Sequence, residues 1–265
     1  MNNKIDFIAI AGDSGGHVLP AIKYINDLSK IKSPEKILFI TNKIGSKFCN
    51  QIINKNINVY IAQYENKLLY TLEIISFLNP LLFKNKKISL IGFGGFITSP
   101  VLFLAKLFNI FFFKSNKIFI HEQNFVLGLA NKINCKICNK IFTSFPSNNN
   151  NNKEIYVGNF FYDLNKDSDK FQENFINILL LGGSGGSLEL NNILIDKLNN
   201  LDSEHLLKIR LSVQIPNAYF DEYRQKYLKL LKNVIFFSFN DKIDYKSYDL
   251  IISRSGSGSI NDILY

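Results

Sequence analysis

The 265-residue sequence has no tryptophan, one methionine, six prolines and only three cysteines. Cys49, Cys135 and Cys138 cannot all pair, which excludes a disulfide framework and points to a reducing compartment. Cys135 and Cys138 form a C-x-x-C, but no second pair completes a zinc site, and a redox pair belongs at a helix start directly after a strand. They read as two incidental helix cysteines. No apolar run reaches the roughly 20 residues that span a bilayer. The most apolar stretch, residues 101–113, is interrupted by Lys106. The opening MNNKIDFIAIAG enters a strand-like run without a cleavage site, so no secretory leader is expected. No glycine loop continues into Gly-Lys-Ser/Thr, which disfavours ATP or GTP hydrolysis. None is a strict G-x-G-x-x-G with an acid about 20 residues on, which disfavours NAD.

What is present suits a globular α/β protein: 46% hydrophobic and 20% charged residues. The net charge of +9 is unevenly placed, with 19 Lys and Arg against 9 Asp and Glu in residues 1–163, and 12 against 13 thereafter. A genome rich in lysine would raise both halves alike. The asymmetry favours a polyanion partner for the first half: nucleic acid, anionic lipid or a phosphorylated ligand. Runs without polar alternation at residues 5–11, 37–41, 59–62, 88–91 and 118–121, and again at 176–181, 209–213, 234–237 and 250–253, alternate with helix-length segments. They read as parallel strands buried on both faces. A short strand is expected at 155–157. The low-complexity SNNNNNK at 147–153 reads as a surface loop, and a domain boundary is expected near Asp163. The fold class is α/β, as two Rossmann-like, doubly wound domains over residues 1–163 and 164–265.

Four loops place glycines where a strand turns into a helix. They are Gly12, Gly15 and Gly16 before His17; Gly92, Gly94 and Gly95; Gly182, Gly183, Gly185 and Gly186; and Gly256 and Gly258 after Arg254. Glycine admits close approach of backbone to a ligand, and a helix N-terminus offers unpaired N–H groups and partial positive charge, so such loops suit a diphosphate. Plain turn chemistry gives the same spacing. Two half-domains each with its own loop point to ligands held across a cleft. In the last loop Ser259 reads as an N-cap with Asp262 as its capping-box acid; Asp262 could equally face a sugar diol. His17, directly after a glycine loop, is a candidate general base, a phosphate ligand or a cap.

The segments GDSGGHVLPA, GFGGF, HEQNFVLGLAN, VGN, GGSGGS and SRSGSGSINDIL occur in the order and spacing of one family. Across essentially the whole chain they resemble the MurG family, GlcNAc-transferases of peptidoglycan synthesis with the GT-B fold. The resemblance implies a peripheral enzyme on the cytoplasmic face of the inner membrane. Its first domain would take an undecaprenyl-linked acceptor and its second UDP-GlcNAc, turning lipid I into lipid II with inversion and without a metal or cofactor. His17 would then be the base, Ser14, Gly15 and Gly16 would bind substrate, and Gly94 and Gly95 would form an acceptor-diphosphate loop. Ser184 and the N–H groups of Gly183–Gly186 suit the donor diphosphate. The resemblance also puts Asn124 on the donor sugar, Ser257, Gly258 and Ser259 at the uridine and Asp262 at the ribose. His121 and Glu122 could instead be structural.

The sequence departs from the family pattern in three places. Asp13 stands where a glycine is usual, adding an anion near a phosphate site. Phe160, Phe161 and Tyr162 replace Pro-x-Arg after VGN. The second domain is expected to be incomplete at Tyr265. These departures keep two other readings open: a remnant that binds lipid-linked diphosphate without transfer, and another GT-B transferase of a lipid acceptor. An anionic membrane surface is expected as a partner, with the apolar stretch at 101–113 flanked by Lys106, Lys114 and Lys117 as the attachment site. Nucleic acid is not expected, since no basic-aromatic module is present.

Overall fold

Each buried strand run pairs with neighbours of its own kind, and the chain resolves into two parallel sheets. The computed structural model describes residues 4–64, 66–146, 152–158, 175–183, 185–238 and 243–264, without the side chains of residues 67, 257, 261, 262 and 264. Contacts divide the chain into two units, Met1–Phe160 and Phe161–Tyr265. The expected boundary at Asp163 lies outside the described residues.

The first unit runs β1 (Phe7–Ile10), α1 (Gly15–Ile31), β2 (Ile37–Asn42), β3 (Asn58–Ala62), α2 (Lys67–Lys84), β4 (Ser89–Gly92), α3 (Thr98–Phe111), β5 (Lys117–Glu122), α4 (Leu129–Asn134), β6 (Lys140–Thr143) and β7 (Glu154–Tyr156). Its seven strands stand in the order β3-β2-β1-β4-β5-β6-β7, with every pairing parallel. The period-2 alternation of a strand divides the core in two. Ile8, Ile10, Leu38 and Ile40 pack with α2 and α3, while Ala9, Ile37 and Phe39 pack with Val18, Ile22 and Ile25 of α1. Covering both faces is what makes β2 buried at all six positions.

The second unit runs β8 (Ile176–Leu181), α5 (Leu188–Asn199), α6 (Ser203–Leu207), β9 (Ile209–Gln214), α7 (Phe220–Leu228), β10 (Asn233–Phe237), β11 (Leu250–Ser253) and α8 (Ser257–Leu264). Its four parallel strands are ordered β10-β9-β8-β11, repeating the β3-β2-β1-β4 order of the first unit. Ile178 and Leu180 face a cluster with Leu194, Val213 and Tyr227; Leu179 and Leu181 face Ile243 on the other side.

Three local expectations are corrected. The strand β6 was not expected, because KIFT is too short and too polar at its start to stand out; pairing with β5 on one side and β7 on the other makes it a strand. Cys135 caps the end of α4 and Cys138 lies beyond it, so neither is inside a helix; both are free thiols. The capping box at Ser259 and Asp262 does not form. The helix α8 begins at Ser257, with Ile260 N–H donating to the Gly256 carbonyl at 3.0 Å, so Ser259 is already helical.

Candidate functional site

In the first unit the loops after β1 and β4 lie against each other. The Gly12 N–H donates to the Gly94 carbonyl at 3.4 Å. Gly94 and Gly95 hold φ of +106° and +85°, and their crowding explains the glycines as much as the dihedrals do. A Cβ on Gly94 would lie 2.6 Å from His17 Nδ1, and one on Gly95 would lie 2.6 Å from the Gly12 carbonyl oxygen. The fold therefore brings together Gly12, His17, Gly94 and Gly95. His17 is half-buried in the first turn of α1; its Nδ1 is buried with no hydrogen-bond partner among the described residues. Ser14 occupies the N-cap position, but its side chain makes no capping bond, so Ser14 Oγ and the first N–H groups of the 17-residue α1 remain for a ligand.

Asp13 is not an idle anion near this loop. It sits at φ +70°, a backbone region that Asp tolerates better than most residues. Its Oδ1 accepts from Asn42 Nδ2 at 2.8 Å, and its Oδ2 accepts from the Phe96 N–H at 2.5 Å. Asn42, at the end of β2, accepts in turn from the Gly45 N–H at 3.0 Å. Nothing in the spacing of the sequence singles out Asn42.

After β5, the HEQN segment is a polar plug. Glu122 is 2% exposed, and its carboxylate accepts four N–H donors. Oε1 takes the Asn124 backbone at 2.9 Å and the Asn124 side chain at 3.0 Å; Oε2 takes the Gly128 backbone at 2.8 Å and Asn131 Nδ2 at 2.9 Å. Gln123 Nε2 donates to the Phe93 carbonyl at 2.7 Å, tying this loop to the one after β4. His121 is buried beside the Phe93 ring, at 5.2 Å between centroids, with Nε2 3.4 Å from Ser144 Oγ. Burial holds its pKa down at about 4, so His121 is a neutral core residue at pH 7. Of the four, Asn124 alone is exposed, and Glu122 orients it by holding its amide NH₂.

The second unit builds its turn from neutral amides. Gln214, 3% exposed at the end of β9, accepts from the Gly182 N–H at 2.8 Å. Its Nε2 donates to the Gly183 and Ser238 carbonyls at 2.8 and 2.9 Å. Asn191 Nδ2 donates to the Gln214 carbonyl at 3.0 Å, and its Oδ1 accepts from Tyr227 OH at 3.0 Å. Ser187 caps α5, accepting from the Leu190 N–H at 3.3 Å. Among the described residues, Gly183, at φ +80°, and Gly185 would meet nothing within 4 Å if given a Cβ, and the same is true of Gly256 and Gly258. Gly182 and Gly186 are the crowded ones, a Cβ falling 2.0 Å from the Ser187 nitrogen and 2.9 Å from Pro216 respectively. Gly258 and Ser259 lie in the first turn of α8, with Ser257 at its start.

Ser184 lies outside the described residues, as do Phe160, Phe161 and Tyr162; the side chains of Ser257 and Asp262 are likewise not described. Among the described residues, no group of three or more His, Cys, Asp and Glu is placed to hold a metal. Asp167 and Asp169 form an Asp-x-Asp, a pattern that can bridge a metal to a diphosphate; it too lies outside the described residues.

Residues 177–265 match the model of the glycosyltransferase family 28 C-terminal domain. A UDP-N-acetylglucosamine--N-acetylmuramyl-(pentapeptide) pyrophosphoryl-undecaprenol N-acetylglucosamine transferase of Prochlorococcus marinus (strain MIT 9215) is 30% identical over 285 residues, spanning 100% of this chain and 74% of the relative. The protein of that name from Wolbachia sp. subsp. Drosophila simulans (strain wRi) is 29% identical over 270 residues, 98% of this chain and 74% of its own length. The crystal structure of Acinetobacter baumannii MurG superposes with a TM-score of 0.67 at 22% identity, covering 97% of this chain and 76% of that one, which shows the shared fold. On relatedness that spans the whole chain in this way, the protein belongs to the MurG family of glycosyltransferases.

Proposed function

We propose that this chain transfers N-acetylglucosamine from UDP-N-acetylglucosamine to an N-acetylmuramyl-(pentapeptide) pyrophosphoryl-undecaprenol acceptor, the step of peptidoglycan synthesis that forms lipid II. The names of its relatives supply the substrates. The observation that carries the reading is the glycine turn ahead of the 12-residue α5, where Gly183 and Gly185 have open space beside them among the described residues, inside the segment that matches the glycosyltransferase family 28 C-terminal domain model. Backbone N–H groups at a helix start stabilise the charge that UDP gains as it leaves. Ser184, Ser257, Gly258, Ser259 and Asp262 are assigned to the donor's diphosphate, uridine and ribose, and Asn124 to its sugar.

The first unit takes the acceptor, with its diphosphate at Ser14–Gly16 and Gly94–Gly95. His17 Nδ1 is buried against Gly94, which leaves Nε2 to reach a ligand. The acceptor's 4-hydroxyl gives its proton to Nε2 as its oxygen bonds the anomeric carbon. The bond from that carbon to UDP breaks on the opposite face, which inverts the configuration. Steady-state kinetics with UDP-N-acetylglucosamine and a soluble acceptor analogue test this: His17→Ala should lower kcat by roughly 10²–10⁴ and leave the donor KM unchanged. A loss confined to acceptor KM would make His17 a binding residue, and no turnover by the unmodified chain would sink the assignment. Turnover should persist in EDTA.

No helix among the described residues is long and apolar enough to cross a membrane. Peripheral attachment to the anionic cytoplasmic face is supported by the exposed apolar end of α3 and the phenylalanines just beyond it. Phe103, Ile110 and Phe111 are 54%, 55% and 68% exposed and Phe113 is 92% exposed, in the unit that holds the basic excess. Sedimentation with anionic vesicles should show binding that weakens with salt; equal binding to neutral vesicles would remove the electrostatic part.

A further inference from the structure

The carboxylate of Asp13 joins three loops that the strand order leaves side by side: Asp13 itself after β1, Asn42 and Gly45 after β2, and Phe96 after β4. Both of its oxygens are engaged, each by a different loop. The same contact closes over the glycines, since a Cβ on Gly95 would lie 3.0 Å from Asp13 Oδ2 and 2.6 Å from the Gly12 carbonyl oxygen. Behind it, Tyr70 of α2 is 3% exposed and stands edge-on to the Phe96 ring at 6.2 Å, so Phe96 is held from two sides. Burial first and the Asp13 charge second push the Tyr70 hydroxyl up to about 12, which keeps it neutral beside that carboxylate.

We propose that Asp13 is a positioning residue of the acceptor site: its carboxylate ties the loop before α1 to the loop before α3 and so keeps His17 seated on Gly94. This rests on the reading of the first unit as the acceptor-binding unit. The bonds from Asn42 Nδ2 and from the Phe96 N–H both end on the carboxylate and are charge-assisted, and the one to Phe96, at 2.5 Å, is the shorter. Asp13 touches no substrate in this role. It sets the spacing of the two loops between which the acceptor's diphosphate is held.

The test compares Asp13→Gly, Asp13→Asn and Asn42→Ala in the full chain by amide hydrogen exchange at Phe96 and by transfer kinetics. Glycine accepts the +70° φ without strain, so Asp13→Gly removes the tie and spares the backbone. Asn retains one oxygen for the Phe96 N–H, so it keeps that tie, while its NH₂ faces the Asn42 NH₂ and gives up the bond to Asn42. Asp13→Gly should speed Phe96 exchange and raise acceptor KM, each at least about tenfold, with donor KM unchanged. Asp13→Asn should stay within about threefold of the unmodified chain, and adding Asn42→Ala to Asp13→Gly should speed Phe96 exchange no further, although it also removes the acceptor of the Gly45 N–H. Unchanged Phe96 exchange in Asp13→Gly overturns the proposal, as does an Asp13→Asn variant as impaired as Asp13→Gly. A donor KM that rises in step with the acceptor KM overturns it too. If the unmodified chain transfers nothing, the functional reading fails on that result alone, while Phe96 exchange still decides whether Asp13 ties the loops.

Discussion

The two units share a strand order and a strand–glycine–helix opening, yet they hold their loops by opposite means. In the first unit the loops after β1, β4 and β5 are pinned by ionisable side chains: Asp13 bridges to Phe96, and Glu122 gathers four N–H donors. In the second, the turn after β8 hangs on the neutral amides of Gln214 and Asn191. Their glycines differ as well. Gly94 and Gly95 are required because neighbours crowd them, whereas Gly183 and Gly185 face open space. One sequence signature thus has two physical causes: close packing, at Gly94 and Gly95 in the first unit and again at Gly182 and Gly186 in the second, and open space among the described residues at Gly183 and Gly185.

Breaking the plug after β5 should have the largest effect. Glu122→Ala would leave the Gly128 N–H and one N–H of the buried Asn131 amide without an acceptor, the other still held by the His121 carbonyl, and it should destabilise the first unit by about 4 kcal/mol. A denaturant melt followed by a probe in each unit would check that the second unit keeps its midpoint. Loss of both together would mean the units are not held separately.

Next in size is a pair of glycine changes in the second unit. Gly182→Ala places a Cβ 2.0 Å from the Ser187 nitrogen and should cost about 3 kcal/mol, since backbone must move. Gly185→Ala meets nothing within 4 Å and should leave the Tm unchanged while weakening UDP binding by about tenfold. Calorimetry on the same samples separates the two. Intact UDP affinity in Gly185→Ala would show that the clearance is not used by the diphosphate.

The smallest effect is on acid stability. His121 is neutral when folded, with a pKa of about 4 against an unfolded value of 6.5. Protons therefore bind the unfolded chain more readily, so the contribution is complete above pH 6.5 and is lost as pH falls towards 4. The first unit should lose about 2 kcal/mol between pH 7 and pH 5 from this residue, and His121→Phe should flatten that slope. A slope of equal size in the second unit would erase the contrast, because its turn holds no buried histidine among the described residues.

Much of the fold is legible because parallel strands buried on both faces are written as unbroken apolar runs. The runs at 37–41 and 176–181 match β2 and β8 almost residue for residue. The strand β6 is not legible, since four residues of mixed polarity carry no period of their own. At the site, the glycines beside His17 are visible in the spacing, and Gln123 and Asn131 stand inside the HEQNFVLGLAN motif without a role that the motif reveals, but Asn42 and Gln214 are not visible at all. A polar residue at the end of a strand looks the same whether it faces water or a buried loop. Asp13 misleads for a related reason: a charge near an expected phosphate site looks repulsive until its two oxygens are seen to be occupied.

Read alone, the chain already specifies the α/β class, the alternation of strand and helix, the places where the backbone must turn tightly, and membership of a family through motifs in order. Those features are local, set by hydrophobic period and by the dihedral freedom of glycine. The assembled fold was needed to tell which glycines are crowded and which are open, that His121 is a neutral core residue, that Glu122 orients Asn124, and that α8 starts at Ser257 rather than after Ser259. The first of these depends on groups far apart in the chain, as does the tie between Asp13 and Phe96 across 83 residues. No local pattern encodes a contact that only the strand order creates.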